Sequence, residues 1–336
     1  MLLVYTYLAP KMSSGPLWAL ESGSPQRCEA KMWQNLLYIN DLFDVTQSCA
    51  IWTWYLANDM QFFILAPFFI LSLHFLPFFG HLLMLGVLGA SIASCMILTR
   101  IHHLDAFWVS ALLNLLQGGS LDGSSLMGIT KYIYFKPWAR IQPYLIGIYM
   151  GYMLKKWDMS FFKSTTRTLI GYVFAGLIMF ASVFGLRKAQ LGYPLTQLEN
   201  MMYIGLSRIG WSISLGYLVM EHILGNGFFI KKMLSLPFWI PLARLSYGAY
   251  LLHPIFIEWF YFSLNQPFNF SVISIFFTFG GVVAVSFCAA AALSVFIESP
   301  FRKLTKLVFS YKRKSQREPP EVVVHQKDPE VPASAG

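Results

Sequence analysis

Long apolar runs separated by short polar stretches organise this chain. A helix rises 1.5 Å per residue, so crossing the hydrocarbon of a bilayer takes about 20 mostly apolar residues. Seven runs fit: Ile51–Leu73, Leu82–Leu98, Ile141–Leu154, Leu169–Leu186, Met202–Leu224, Leu242–Leu264 and Val272–Ile297. The third is short and is expected to start earlier or to lie tilted against its neighbours. Pro67 falls inside the first run and is expected to kink it, because proline removes a backbone hydrogen bond. The expected fold is therefore all-α, a polytopic transmembrane helix bundle with about seven full spans. Met1 to Ala9 is apolar but too short to span, and no positive residue precedes it. It reads as the end of a membrane helix whose beginning is missing, so N-terminal truncation is expected. Residues 1–10 then form this stub, 11–50 an extracytoplasmic loop, 51–310 the transmembrane domain, and 311–336 a charged, proline-rich, disordered cytoplasmic tail.

Composition strengthens this reading. The chain is 56% hydrophobic and 12% charged, against roughly 25% charged in soluble domains. The formal charge of +9 does not point to nucleic acid. Seven Lys/Arg fall between Arg302 and Arg317, directly after the last apolar run, and read as a cytoplasmic anchor facing anionic lipid. With the C-terminus in the cytoplasm, 15 basic residues fall on that side and nine on the other, in agreement with the positive-inside rule. The membrane itself is left open as plasma membrane or endomembrane. This orientation puts residues 11–50 outside, where Cys28 and Cys49 are a candidate disulfide. Cys95 and Cys288 lie in apolar runs and are expected to pack as small core residues. Asn269-Phe270-Ser271 fits a glycosylation pattern but lies almost against the membrane, and is expected to be unmodified.

Polar groups inside apolar helices are costly and usually face a bundle interior or a cavity. Ser246, Tyr250 and His253 share one helical face, with Tyr247 beside them. Trp54, Asn58 and Gln61 share another, flanked by Tyr55 and Asp59; an interfacial girdle and a polar cavity wall both remain open for this stripe. Arg208 lies about two turns into the fifth run, where pairing with an anion and snorkelling to the interface are equally open. Glu221 and His222, ending that run, are expected at the interface. Arg140 could hold an anion or anchor a helix end. Glu298-Ser299-Pro300 marks the end of the last span, with Glu298 next to Arg302 and Lys303. His102-His103-Leu104-Asp105 reads as solvated surface, and no metal is assigned. No Walker loop, Gly-x-Ser-x-Gly or His-Glu-x-x-His occurs.

Taken together, Trp54-Tyr55-Leu56-Ala57-Asn58-Asp59-Met60-Gln61-Phe62-Phe63, Arg140-Ile141-Gln142-Pro143-Tyr144-Leu145-Ile146-Gly147, Leu245 to Pro254, and Glu298-Ser299-Pro300-Phe301 resemble the acyltransferase-3 superfamily. Its nose-resistant-to-fluoxetine-like subgroup is the most similar, and Gly15-Pro16-Leu17-Trp18 and Trp33 to Asn40 resemble the loop that precedes the first motif there. The resemblance implies an integral membrane protein that moves an acyl group, other than amino-acyl, to an acceptor hydroxyl. The implied donor and co-substrate is acyl-CoA, reached from the cytoplasmic side, and no bound cofactor is expected. The partners would be membrane lipids, the acyl donor and a small-molecule or lipid acceptor, with no nucleic acid. The family's first-helix histidine and the arginine motif after it have no counterpart in these 336 residues, so the resemblance does not by itself imply that this chain is catalytically competent. For an active chain, His253 is the candidate proton-transfer residue. Asn58, Asp59 and Tyr250 would position the acceptor, and Arg140 and Arg208 would contact anions. The rival reading is a non-catalytic transporter or binder of lipids or hydrophobic small molecules, for which polar groups inside spans are equally expected.

Overall fold

The computed structural model describes residues 1–12, 18, 23–44, 48–106, 128–156, 165–225, 228–266, 268 and 271–315, and these are helical with no strand among them. The glycosylation pattern at Asn269 and the tail from residue 316 lie outside the described residues. Nine helices carry the argument: α1 (Gly23–Leu36), α2 (Trp54–Phe75), α3 (Pro77–Ile101), α4 (Pro137–Lys156), α5 (Thr165–Phe184), α6 (Gln197–Ile223), α7 (Trp239–Phe262), α8 (Val272–Leu293) and α9 (Ser299–Ser315). Each of the seven apolar runs is matched by one helix from α2 to α8. Four stretches of the described residues are long and apolar enough to cross a membrane: Ile51–Phe75, Pro77–Ile101, Thr165–Gln190 and Val272–Phe309. The remaining three, α4, α6 and α7, hold most of the polar residues singled out above. The short third run does start earlier, at Pro137, where proline suits the first turn because its missing N–H has no partner there in any case.

Local chemistry sets the ends. Thr196 caps α6: its hydroxyl accepts from Glu199 N at 3.3 Å while Glu199 Oε2 accepts from Thr196 N at 2.6 Å. Between α2 and α3 the chain reverses at Leu76–Pro77, and Gly80 lets the two helices meet. A Cβ on Gly80 would stand 2.6 Å from Leu73 N. Pro67 sits within an unbroken α2. The outer surface is strongly apolar: Phe78, Phe276 and Phe277 are all more than 70% exposed, as a lipid-facing surface requires.

The segment between the first residues and α2 is more ordered than a polar loop. It contains α1, and Cys28 and Cys49 are joined in a disulfide. Tyr5, Ala9, Trp52, Leu252 and Ile255 pack around that bond, with Tyr5 edge-on to Trp52 at 4.9 Å. Lys136, just before α4, donates through Nζ to Asp41 O at 2.6 Å and to Phe43 O at 3.2 Å, pinning this segment to the bundle.

Three helices define the centre. α3, α4 and α6 pack on one another, with α2 against α3 and α4, and α5 against α6. Gln197 Nε2 donates to Thr99 O at 2.9 Å, so the start of α6 is level with the end of α3. α7 and α8 form a separate close pair, with Gly248 against Ala290.

Candidate functional site

Between α3, α4 and α6 lies an apolar cavity of about 460 Å³, floored by Met84, Leu145, Met150, Met153, Ile213 and Met220. Methionine is flexible and polarisable, and four of these six side chains can reshape to an apolar guest. His81, Tyr149 and Tyr217 supply its few polar groups. Such a pocket is of the size and polarity that suit a small apolar ligand.

The same three helices carry a cationic cluster further along. Arg208 lies 11 positions beyond Gln197, about 16 Å along α6 by helical rise, and is far deeper than an end-of-helix anchor. It donates from Nη1 to Ile204 O at a long 3.5 Å and reaches the Cys95 thiol on α3. Arg140, in the first turn of α4, lies close enough to Arg208 for their charges to repel. Its guanidinium carbon is 4.8 Å from the Trp54 ring centre and 4.5 Å from that of Tyr134. Its Nε donates to Tyr134 O at 2.8 Å. Neither arginine has a carboxylate partner among the described residues. Two half-buried like charges held together without a counter-ion are suited to taking up an anion or a developing oxyanion.

The Trp54, Asn58 and Gln61 stripe turns out to be a docking seam. Asn58 Nδ2 donates to Trp54 O at 3.1 Å and to Phe135 O at 2.9 Å, and the Trp54 ring packs on Tyr134 and Phe135. Gln61 Nε2 donates at 2.9 Å both to Tyr38 O and to Asp41 Oδ1. One helical face thereby fixes both the segment before α2 and the turn that presents Tyr134 to Arg140. Asp59 sits beside this seam, exposed, near Tyr144 and Tyr247.

His253 has a local explanation. Pro254 has no N–H, so the carbonyl four residues back, Tyr250 O, loses its helical donor. His253 Nδ1 lies 2.8 Å from that oxygen. A carbonyl only accepts, so Nδ1 carries the proton and Nε2 keeps a basic lone pair. His81 and His222 make similar backbone contacts, to Pro77 O and Leu218 O, so this contact by itself is a common feature of the helical histidines and leaves Nε2 of His253 available. Tyr250 donates its hydroxyl to Trp52 O, which ties α7 to the start of α2, and its ring is 6.0 Å from Tyr55. Ser246 is exposed and bonds back to Ala243 O. Tyr134 interacts with both arginines and with Tyr250, and so connects the cationic cluster to the α7 stripe.

Two outlying groups have defined partners. Glu221 is fully buried within the protein and accepts from Thr168 Oγ1 at 3.4 Å, while Tyr217, on the cavity wall, donates to Thr168 O at 3.2 Å. His102 stacks on Tyr132 with ring centres 3.9 Å apart. The sequence reading placed Cys95 in the core, where it is buried, but missed its contact with Arg208, and it missed Tyr134 and the methionine-lined cavity. Tyr134 stands outside the apolar runs, and only its spacing of six from Arg140 hinted at a partnership.

An acyltransferase-domain family profile matches residues 4–293, most of the chain and all of these features. The chain belongs to the acyltransferase-3 family. With its four span-length apolar helices, it is an integral membrane protein. Nose resistant to fluoxetine protein 6 of Caenorhabditis elegans is 28% identical over 322 residues, covering 92% of this chain and 38% of that protein. Regulator of hypoxia-inducible factor 1 from the same organism is 24% identical over 272 residues, covering 77% of this chain and 51% of that relative. The chain thus spans about half or less of the length of these relatives. No solved structure matches it. The helices α3, α4 and α6 thus carry both an apolar cavity and, further along, a cationic cluster.

Proposed function

We propose that this chain forms the donor and acceptor walls of a membrane acyltransferase, moving an acyl group from acyl-CoA to an acceptor hydroxyl. The observation that carries this reading is the arginine pair, without a carboxylate partner, on the helices that enclose the apolar cavity. The acyl chain lies among the methionines, and the thioester carbonyl points to Arg140 and Arg208. As the hydroxyl oxygen attacks, a C–O bond forms, and the negative charge gathers on the carbonyl oxygen against the two guanidiniums. Collapse of this intermediate breaks the C–S bond. The hydroxyl proton passes to His253 Nε2 and then to the departing thiolate. Asn58, through Phe135 and Tyr134, holds Arg140 in place, while Asp59 and Tyr250 flank the acceptor.

Radiolabelled acyl-CoA incubated with the full chain in proteoliposomes tests the proposal, beside uptake of the free labelled acyl compound into the same vesicles. Labelled ester is expected, with Arg208→Gln cutting its rate by at least about a hundredfold, as for loss of an oxyanion donor. Uptake without ester would favour the transporter reading and sink the enzyme.

A further inference from the structure

The close contact of Gly248 with Ala290 draws α7 and α8 together as antiparallel neighbours; a Cβ on Gly248 would come within 3.1 Å of Ala290 Cβ. One turn towards the start of α7 is Arg244, and one turn beyond Ala290 is Ser294. From there the chain passes through a π-helical turn, Ser294–Glu298, into α9. An open groove of about 900 Å³ lies where these three segments meet. Its floor is apolar, made by Ile240, Pro241, Leu245 and Val295. Its rim carries Arg244, Arg302, Lys303 and Lys306. Among the residues lining the groove, Glu298 is the carboxylate, and it is paired with Arg302. The positions of Arg302 and Lys303, four and three residues before Lys306, put all three on one face of α9.

We infer that this groove is a binding site for an anionic phospholipid, with the phosphate on the basic rim and an acyl chain along the floor. Two observations favour a lipid over a free anion. The floor opens onto Val295 and Phe296, 65% and 78% exposed, a surface that hydrocarbon covers in a membrane. Phe301, Leu304, Leu307 and Val308 continue that apolar surface along α9 beside the cations. A basic amphipathic helix of this kind lies at the headgroup level, with its apolar side against acyl chains. Inorganic phosphate would satisfy the rim and leave the floor in water. The site stands apart from the cavity of α3, α4 and α6, and it holds whether or not the chain transfers acyl groups.

Thermal stabilisation of the full chain in neutral detergent tests this site with four probes. Dioctanoyl phosphatidylserine is expected to raise the Tm, an effect weakened by salt. Dioctanoyl phosphatidylcholine, inorganic phosphate and CoA are each expected to give no comparable rise. The triple variant Arg244→Gln, Lys303→Gln, Lys306→Gln alters exposed side chains and should keep its lipid-free Tm. Its affinity for phosphatidylserine should fall at least about tenfold. Equal stabilisation by phosphatidylcholine, or an unchanged response of the variant, would overturn the proposal. A matching response to phosphate or CoA would overturn it too, by assigning the groove to a soluble anion. Were the variant not to fold, the contrast among the four probes on the unmodified chain decides.

Discussion

His253 and Pro254 form a unit whose chemistry is local: a proline strips a carbonyl of its donor, and the preceding imidazole replaces it. His253→Ala should therefore destabilise the protein by roughly 1 kcal/mol, the net worth of a hydrogen bond with its carbonyl left unsatisfied. In a Pro254→Ala background the amide returns, and the same substitution should have little effect; a double-mutant cycle on thermal unfolding measures the coupling. Additive effects would contradict the repair role. Asp41 and Lys136, outside the spans, give a pH signature. Burial raises the Asp41 carboxyl above its ordinary 3.8, against the opposing effects of Gln61 and Lys136. Burial lowers Lys136 below its ordinary 10.5, with Asp41 opposing. A raised carboxyl means the folded protein binds more protons than the unfolded one in that window. Stability should thus fall as pH climbs from 3.8 through the folded value. Asp41→Asn should flatten that decline in a series of Tm measurements across acidic pH. Lys136 gives the opposite slope, stability rising as pH approaches 10.5. At this scale the sequence was only partly legible. The stripe of Trp54, Asn58 and Gln61 was visible by its spacing, but its partners Phe135, Tyr38 and Asp41 come from distant segments that no periodicity connects.

Helix positions were legible in the seven apolar runs because burial in lipid demands length and low polarity. The helix α1 was not, since its apolar residues are few and it is held by the Cys28–Cys49 bond and by Asn35, whose Nδ2 donates to Cys49 O, rather than by a long apolar face. Joint replacement of both cysteines by serine should lower stability by about 3 kcal/mol on the chain-entropy view, measured as a drop in Tm that reductant reproduces in the unmodified chain. The α2–α3 reversal depends on Gly80 in a different way. The atoms a Cβ would strike there are backbone atoms of Leu73, which cannot swing aside as a side chain could. Gly80→Ala should cost about 1–3 kcal/mol and be seen as lower Tm and reduced folded yield; an unchanged Tm would show that the hairpin is looser than its contacts imply. By contrast, a Cβ on Gly216 meets the flexible end of Met150, so Gly216→Ala should fold and narrow the cavity instead.

Across the molecule, membership of the acyltransferase-3 family was legible from motifs scattered over α2, α4, α7 and α9, while the groove they serve was not. The groove arises only when α3, α4 and α6 pack, and α3 carries none of the motifs. That packing also divides the polar residues by purpose: the two arginines lie together on α4 and α6, while Asn58, Gln61 and Lys136 tie the segment before α2 and the turn before α4 to the bundle. The central claim is that the cavity seats the acyl chain of a donor. Photo-crosslinking of the full chain with a diazirine-bearing acyl-CoA, followed by peptide mapping, tests this most directly, because it reads binding apart from turnover. Label is expected on Met84, on α4 between Leu145 and Met153, and on α6 between Ile213 and Met220, and excess unlabelled acyl-CoA should compete it away. Label confined to the lipid-facing surfaces of α5 and α8, unaffected by competitor, would contradict the assignment.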